Sequence, residues 1–219
     1  MIQIENLTYQ YNKSEPILSF PNITLNKGKN LLILGESGIG KSTLLHLLAG
    51  LLKPITGKIL INEITLNSLK NNQLDQFRGK NIGLAFQKKY AIESLNLMNN
   101  IKARLFFSKV VVSDERIEVL LKQLDLFDLK ESKVSELSEG QLQRLSIALS
   151  VIHNPQVILA DEPTSSLDDK NCKVVIKLLK KHAKQTNANL ILITHDHRIK
   201  PFFQNSIKLT IFGVLAYKI

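Results

Sequence analysis

Three glycines, a lysine and three hydroxyl residues crowd the segment Gly35-Glu36-Ser37-Gly38-Ile39-Gly40-Lys41-Ser42-Thr43, which lies between the apolar runs Leu31–Leu34 and Leu44–Leu48. Gly-x-x-x-x-Gly-Lys-Ser between a buried strand and a helix is the pattern of a phosphate-binding loop. Glycines let successive backbone N–H groups point into one concavity, and the helix that follows adds the positive end of its dipole. Lys41 supplies a point charge for terminal phosphates, and the Ser42 hydroxyl is a ligand suited to Mg²⁺. A plain glycine-rich turn from strand to helix is the alternative, but it explains neither Lys41 nor Ser42 in register.

A second candidate for chemistry follows another apolar run. Val157-Ile158-Leu159-Ala160-Asp161-Glu162 places two carboxylates where a buried strand ends, the usual position for ligand chemistry in an open α/β sheet. Asp161 is suited to orienting Mg²⁺, directly or through water, and Glu162 to polarising an attacking water. Alone, the acidic pair could cap the next helix; together with the phosphate loop it points to nucleotide hydrolysis.

The elements that must hold these groups alternate along the chain. Strand candidates are Ile2–Tyr9, Lys29–Leu34, Lys58–Ile61, Ile82–Phe86, Val157–Ala160 and Leu190–Thr194, several of them continuous apolar runs of the buried parallel type. Pro54-Ile55-Thr56-Gly57 is a turn signal ahead of Lys58. Between Ile61 and Ile82 the pattern is polar and interrupted, and from about Glu93 to His153 it turns mainly helical, with apolar residues at helical spacing over Glu115–Leu126 and Leu142–Ile152. Such a layout reads as a helical insertion in an α/β core. The tail Ser206–Ile219 is apolar but carries Lys208 and Lys218, so it reads as an edge strand or hairpin rather than a membrane anchor.

Bulk properties narrow the classes. A chain of 219 residues with 44% hydrophobic and 22% charged residues can bury one sizeable core and is not compositionally disordered. No apolar run approaches the roughly 20 residues of a spanning helix, and Met1–Asn6 lacks the layout of a signal peptide, which implies residence in the cytoplasm. The single cysteine, Cys172, excludes an internal disulfide. A net charge of +10 favours anionic partners without choosing among nucleotides, nucleic acid and an acidic membrane face. Within Lys170–Lys184, Val175, Leu178, Leu179 and Ala183 form one helical stripe with the lysines largely off it, a solvated outer face.

Three further stretches narrow the field. Leu137-Ser138-Glu139-Gly140-Gln141 before a helix resembles the signature of the ABC (ATP-binding cassette) ATPases; Gln87, after Ile82–Phe86, resembles their Q-loop; and His195 in Leu192-Ile193-Thr194-His195-Asp196 resembles their switch histidine. Ser165-Ser166-Leu167-Asp168 is similar to their D-loop, and Tyr11 stands where an aromatic residue stacks on adenine, with Tyr9 as an alternative. The resemblance covers the whole chain. It implies an α/β fold with a RecA-like phosphate-loop core and small antiparallel β lobe over residues 1–87 and 156–219, and a helical subdomain over residues 88–155. It implies ATP and Mg²⁺ as cofactors. The Gly35–Thr43 loop and Tyr11 would bind nucleotide; Ser42, Gln87 and Asp161 would hold the metal; and Glu162, His195, Gln87 and Lys41 would act in hydrolysis. Ser138, Gly140, Gln141 and Asp168 would complete the site of a second copy in an ATP-dependent head-to-tail homodimer.

Wording around Leu74–Gln87 and Leu159–Thr164 is similar to the lipoprotein-release, macrolide-export and cell-division group. This implies integral-membrane partner subunits, a peripheral position on the cytoplasmic face of the membrane, and no nucleic-acid partner. A non-transport member acting on nucleic acid and a regulatory ATP-binding module are the competing readings. Glu139 departs from the signature, standing where a first glycine is commonest; the expectation is that it points outward while Ser138 and Gly140 keep the contacts across the dimer.

Overall fold

The computed structural model describes residues 1–86, 91–165 and 167–210, together with the backbone of 213–218. Two sheets carry the strands. The first is antiparallel and comprises β1 (Ile2–Tyr9), β2 (Leu18–Ser19), β3 (Ile23–Leu25), β5 (Thr56–Ile61) and β6 (Ile64–Thr65), with β1 pairing β2, β3 and β5 and with β5 pairing β6. The second contains β4 (Asn30–Leu34), β7 (Ile82–Ala85), β8 (Val157–Asp161), β9 (Asn189–Thr194), β10 (Asn205–Thr210) and β11 (Gly213–Lys218) in the order β11-β10-β4-β9-β8-β7. All its pairings are parallel except the hairpin of β10 with β11.

Among the described residues the α-helices are α1 (Lys41–Leu48), α2 (Asn71–Asn81), α3 (Leu97–Ser108), α4 (Asp114–Gln123), α5 (Glu139–Val151) and α6 (Asp169–Thr186). Strand periodicity decides which of them packs where, because successive side chains point to opposite faces. Leu32 and Leu34 of β4, Ile158 and Ala160 of β8, and Leu190 and Leu192 of β9 join one buried cluster with α3, α4, α5 and α6. Their neighbours Leu31, Ile33, Val157, Leu159, Ile191 and Ile193 join the other, with α1 and the antiparallel sheet. The helices between β7 and β8 therefore have no separate core; they close over one face of the parallel sheet. Gly83 of β7 makes this possible, since a Cβ there would lie 1.9 Å from the Ser150 carbonyl oxygen of α5.

Most sequence-derived elements recur with shifted ends, such as α5 beginning at Glu139 rather than Leu142 and β5 at Thr56 rather than Lys58. Beyond them, the polar stretch after Ile61 contains α2, which buries only Phe77 and so leaves almost no apolar stripe to read. β2, β3 and β6 are two or three residues long, too short for any periodicity. The tail takes the hairpin form, with β10 also pairing β4. On α6, Lys173, Lys177, Lys181 and Lys184 are exposed, whereas Lys180 turns inward to donate to the Phe202 carbonyl.

Candidate active site

In the parallel sheet β4, β9 and β8 are neighbours, so their carboxyl ends bring Gly35, Thr194–His195 and Asp161–Glu162 side by side, where ligands bind in open α/β sheets. β8 and β9 are buried along their whole length, which fixes the positions from which the polar groups emerge.

The loop from Gly35 to Gly40 leaves β4 and feeds α1. Gly38 and Gly40 have φ of 81° and 96°, a region that L side chains rarely adopt. Gly40 is the N-cap of α1, no side chain caps that end, and the first turn has no acidic residue. The first N–H groups of α1 thus have no competing side-chain acceptor and face outward with the positive end of the helix dipole, which is what an anion requires. Lys41 is buried, and its ammonium donates to the carbonyls of Gly35 at 2.9 Å and Glu36 at 2.8 Å.

A cleft of about 280 Å³ opens beside the loop, walled by Tyr11, Pro16, Leu18, Gly38, Lys41 and Thr43 among others. Tyr11 is half exposed; its hydroxyl lies 2.9 Å from the Thr43 Oγ1 and its ring meets Tyr9 edge-on at 4.9 Å. Those contacts hold an aromatic face at the mouth of the cleft. Glu15, Pro16 and Leu18 also line it; nothing in their sequence pattern marks them, since β2 brings Leu18 there by pairing with β1.

Asp161 is buried, and its Oδ1 has no hydrogen-bond partner. Burial pushes its carboxyl above the usual range, against the opposing pull of the Ser42 hydroxyl, His46 and Lys41. A desolvated carboxylate oxygen without a donor, beside a hydroxyl, is an all-oxygen site awaiting a cation. It fits Mg²⁺, which takes one or two protein ligands and completes its shell with water and phosphate oxygens.

Glu162 is the most constrained residue. Its φ is 47°, left-handed for a non-glycine residue, and its N–H donates to the Ile193 carbonyl at 2.9 Å. The buried carboxylate accepts three hydrogen bonds: from the Thr194 hydroxyl at 2.6 Å on Oε2, and from the His195 N–H at 3.0 Å and His195 Nδ1 at 2.8 Å on Oε1. The His195 side chain itself is 60% exposed, so it can swing while Glu162 stays in place. A carboxylate held this way has the fixed orientation that a general base requires.

The other sequence candidates lie elsewhere. Ser138 and Gln141 form a reciprocal capping box at the start of α5: Ser138 Oγ accepts from the Gln141 N–H at 3.3 Å, and the Ser138 N–H donates to Gln141 Oε1 at 2.7 Å. Gly140 faces Leu167, whose methyl would lie 3.8 Å from a Cβ there. Glu139 is exposed in the first turn of α5, where the helix dipole favours a carboxylate. Asp168 caps α6, accepting from the N–H and side-chain amide of Asn171, both at 2.8 Å. None of Ser138, Gly140, Gln141 and Asp168 lines the cleft by the loop. Gln87 lies outside the described residues. Sequence reasoning missed Thr194, Thr164 and Arg198, which build the surroundings of Glu162; a threonine ending an apolar strand just before the histidine was the only signal.

Comparison with known proteins agrees with this arrangement. The family model "ABC transporter" matches residues 18–165. The lipoprotein-releasing system ATP-binding protein LolD of Buchnera aphidicola is 36% identical over 203 residues, spanning 90% of this chain and 89% of that protein. The macrolide export ATP-binding/permease protein MacB of Vibrio parahaemolyticus is 33% identical over 99% of this chain, which spans 34% of it. The ABC transporter ATP-binding protein MJ0796 of Methanocaldococcus jannaschii is 35% identical over 95% of this chain and 93% of its own length. A dimeric post-hydrolysis structure of MJ0796 bound to ADP and Pi superposes with a TM-score of 0.91 at 32% identity, covering 100% of this chain and 98% of that one.

Proposed function

This chain belongs to the ABC transporter family, and we propose that it hydrolyses ATP between two copies of itself to drive integral-membrane partner subunits. The observation that carries this reading is the convergence, at adjacent strand ends, of an uncapped phosphate-type loop, a buried carboxylate with one oxygen lacking a partner and a triply held carboxylate.

In the proposed site the backbone N–H groups of Gly35–Thr43, Glu36, Ser37 and Ile39 included, cradle the phosphates. Lys41 exchanges the Gly35 and Glu36 carbonyls for phosphate oxygens, and the Tyr11 ring lies against adenine. Ser42, Asp161 and Gln87 would hold Mg²⁺, which would supply positive charge against that of the phosphates. Glu162 takes the proton of the attacking water as the water oxygen bonds to the γ-phosphorus and the bond to the ADP oxygen breaks. His195 turns its exposed ring toward the γ-phosphate, and Gln87 reports nucleotide state to the helices that follow. Ser138, Gly140, Gln141 and Asp168 of a second copy close the site; MJ0796, a dimer in its solved structures, supports this arrangement.

The cycle is one of differential affinity: ATP binds the closed dimer more tightly than the open one, and hydrolysis removes the γ-phosphate contacts. No helix among the described residues is long and apolar enough to cross a membrane; in the proposed complex, integral-membrane partner subunits receive the force at the cytoplasmic face. Exposed Phe106 and Phe107 on α3, 77% and 70% accessible, offer an apolar contact for them.

The test is light scattering of Glu162→Gln with and without Mg-ATP, beside steady-state hydrolysis by the unmodified protein. The expected result is an ATP-dependent shift from monomer to dimer and turnover reduced by roughly 10²-fold or more. Near-normal turnover in that variant would move the base elsewhere; a monomer at saturating Mg-ATP would overturn the two-copy site.

A further inference from the structure

The two oxygens of the Glu162 carboxylate are held by different kinds of neighbour. Oε1 accepts from His195 twice, at 3.0 Å from the backbone and 2.8 Å from an exposed ring. Oε2 accepts a single bond, 2.6 Å from the hydroxyl of Thr194, which is fully buried. That hydroxyl has one proton, and the Asp196 N–H donates to its oxygen at 2.9 Å. The β-branched side chain is stiff at χ1, and its single hydroxyl proton goes to Glu162 while its oxygen holds the Asp196 N–H.

Asp196 is itself clamped. It accepts from the Thr164 hydroxyl at 3.2 Å, and the Arg198 guanidinium grips it with Nε and Nη2 at 2.8–3.1 Å. The same guanidinium reaches Asp169 in the first turn of α6 and the Leu167 carbonyl at 3.5 Å. A continuous set of bonds therefore runs from the turn around Asp168 through Arg198, Asp196 and Thr194 to the base.

We infer that Thr194 is a positioning residue for Glu162, fixed in turn by Asp196 and Arg198. This inference rests on the reading of Glu162 as the base. When the His195 ring leaves Oε1 for the γ-phosphate, Glu162 loses one of its three donors; the Thr194 bond, buried and strand-borne, keeps the carboxylate aimed. Because Arg198 also holds the 167–169 turn, displacement of that turn by a second copy reaches the base through the same bonds.

Three variants test it by steady-state kinetics with Mg-ATP. Thr194→Val removes the donor at nearly constant shape; the expected result is a fall in kcat of about 10- to 100-fold, the range for a hydrogen bond to a charged group, with KM changed less than about threefold. Thr194→Ser restores most of kcat. In a Glu162→Gln background Thr194→Val has no further effect, because residues acting through one another are not additive. Arg198 is exposed and can be truncated without opening a core, so Arg198→Ala tests the outer link even if the valine variant folds poorly; kcat should fall about three- to tenfold, with KM unchanged. Serine as impaired as valine, an equal loss in the Glu162→Gln background, or full activity of Arg198→Ala would overturn the inference. Near-normal turnover in Glu162→Gln alone would instead sink the base assignment, a separate outcome.

Discussion

Asp161 and Glu162 are consecutive residues of one type in opposite states. Glu162 has three donors, whereas Asp161 has an oxygen with none and a carboxyl that burial pushes up. Side chains alternate across a strand, and the left-handed φ at Glu162 ends that alternation one residue after Asp161, so the two carboxylates leave β8 toward different neighbours. In the proposed site one is kept for a cation and the other for a proton. A buried carboxylate oxygen without a donor destabilises the nucleotide-free protein. Asp161→Asn should therefore raise the melting temperature of the nucleotide-free protein by a few degrees, on the order of 1 kcal/mol, while Mg-ATP turnover falls by roughly 10²-fold. Differential scanning fluorimetry with and without Mg-ATP checks the first part. An unchanged or lower melting point would mean that Asp161 has a stabilising partner.

At the scale of elements, the helices between β7 and β8 depend on a close approach to the sheet as well as on their own buried apolar residues. β7 lies against α5 with no room for a methyl group at Gly83, where both the Ser150 carbonyl and Pro155 intrude. Gly83→Ala must push α5 away from the sheet and disturb the buried cluster the helices share with β8 and β9. The expected loss is on the order of 3 kcal/mol, a drop of roughly 6–12 °C in melting temperature for a chain of this size. A drop under about 2 °C would show that α5 shifts freely. α5 also explains why its first residues read as functional: Ser138 and Gln141 satisfy the helix end through a capping box, and that bond pattern leaves the signature segment rigid at the surface.

For the whole molecule, two histidines outside the active site set the acid limit. His153 is buried, accepts from Arg104 at 2.8 Å, and has its pKa driven down to about 3 by burial and that guanidinium. His182 is driven down to about 4 by burial and Arg116. Each is neutral in the fold and takes a proton on unfolding below its ordinary value of 6.5. Their contribution is thus complete above about pH 6.5 and drains as pH falls toward 4, the sign for a lowered folded pKa. Between pH 7.5 and 5.5 the loss is about 1 kcal/mol per histidine. Urea unfolding at the two pH values should show it, and the double variant His153→Gln with His182→Gln should flatten most of the difference. An unaltered slope would place the acid sensitivity in other groups.

The sequence by itself determined the chemistry and the architecture that carries it. Gly35–Thr43 announces itself through composition and spacing, and Asp161–Glu162 through following the four apolar residues Val157–Ala160, because both are local patterns and the chain writes local patterns in order. The buried parallel strands were legible for the same reason: each is a run of apolar residues. The tertiary structure alone decided what no run of neighbours encodes. Thr194 meets Glu162 only because β8 and β9 pair in one register, and Arg198 reaches Asp169 across 29 residues. α2, with a single buried residue, and the two- and three-residue strands β2, β3 and β6 exist because a larger surface holds them in place. Periodicity records what an element must bury, and an element that buries almost nothing leaves almost no record.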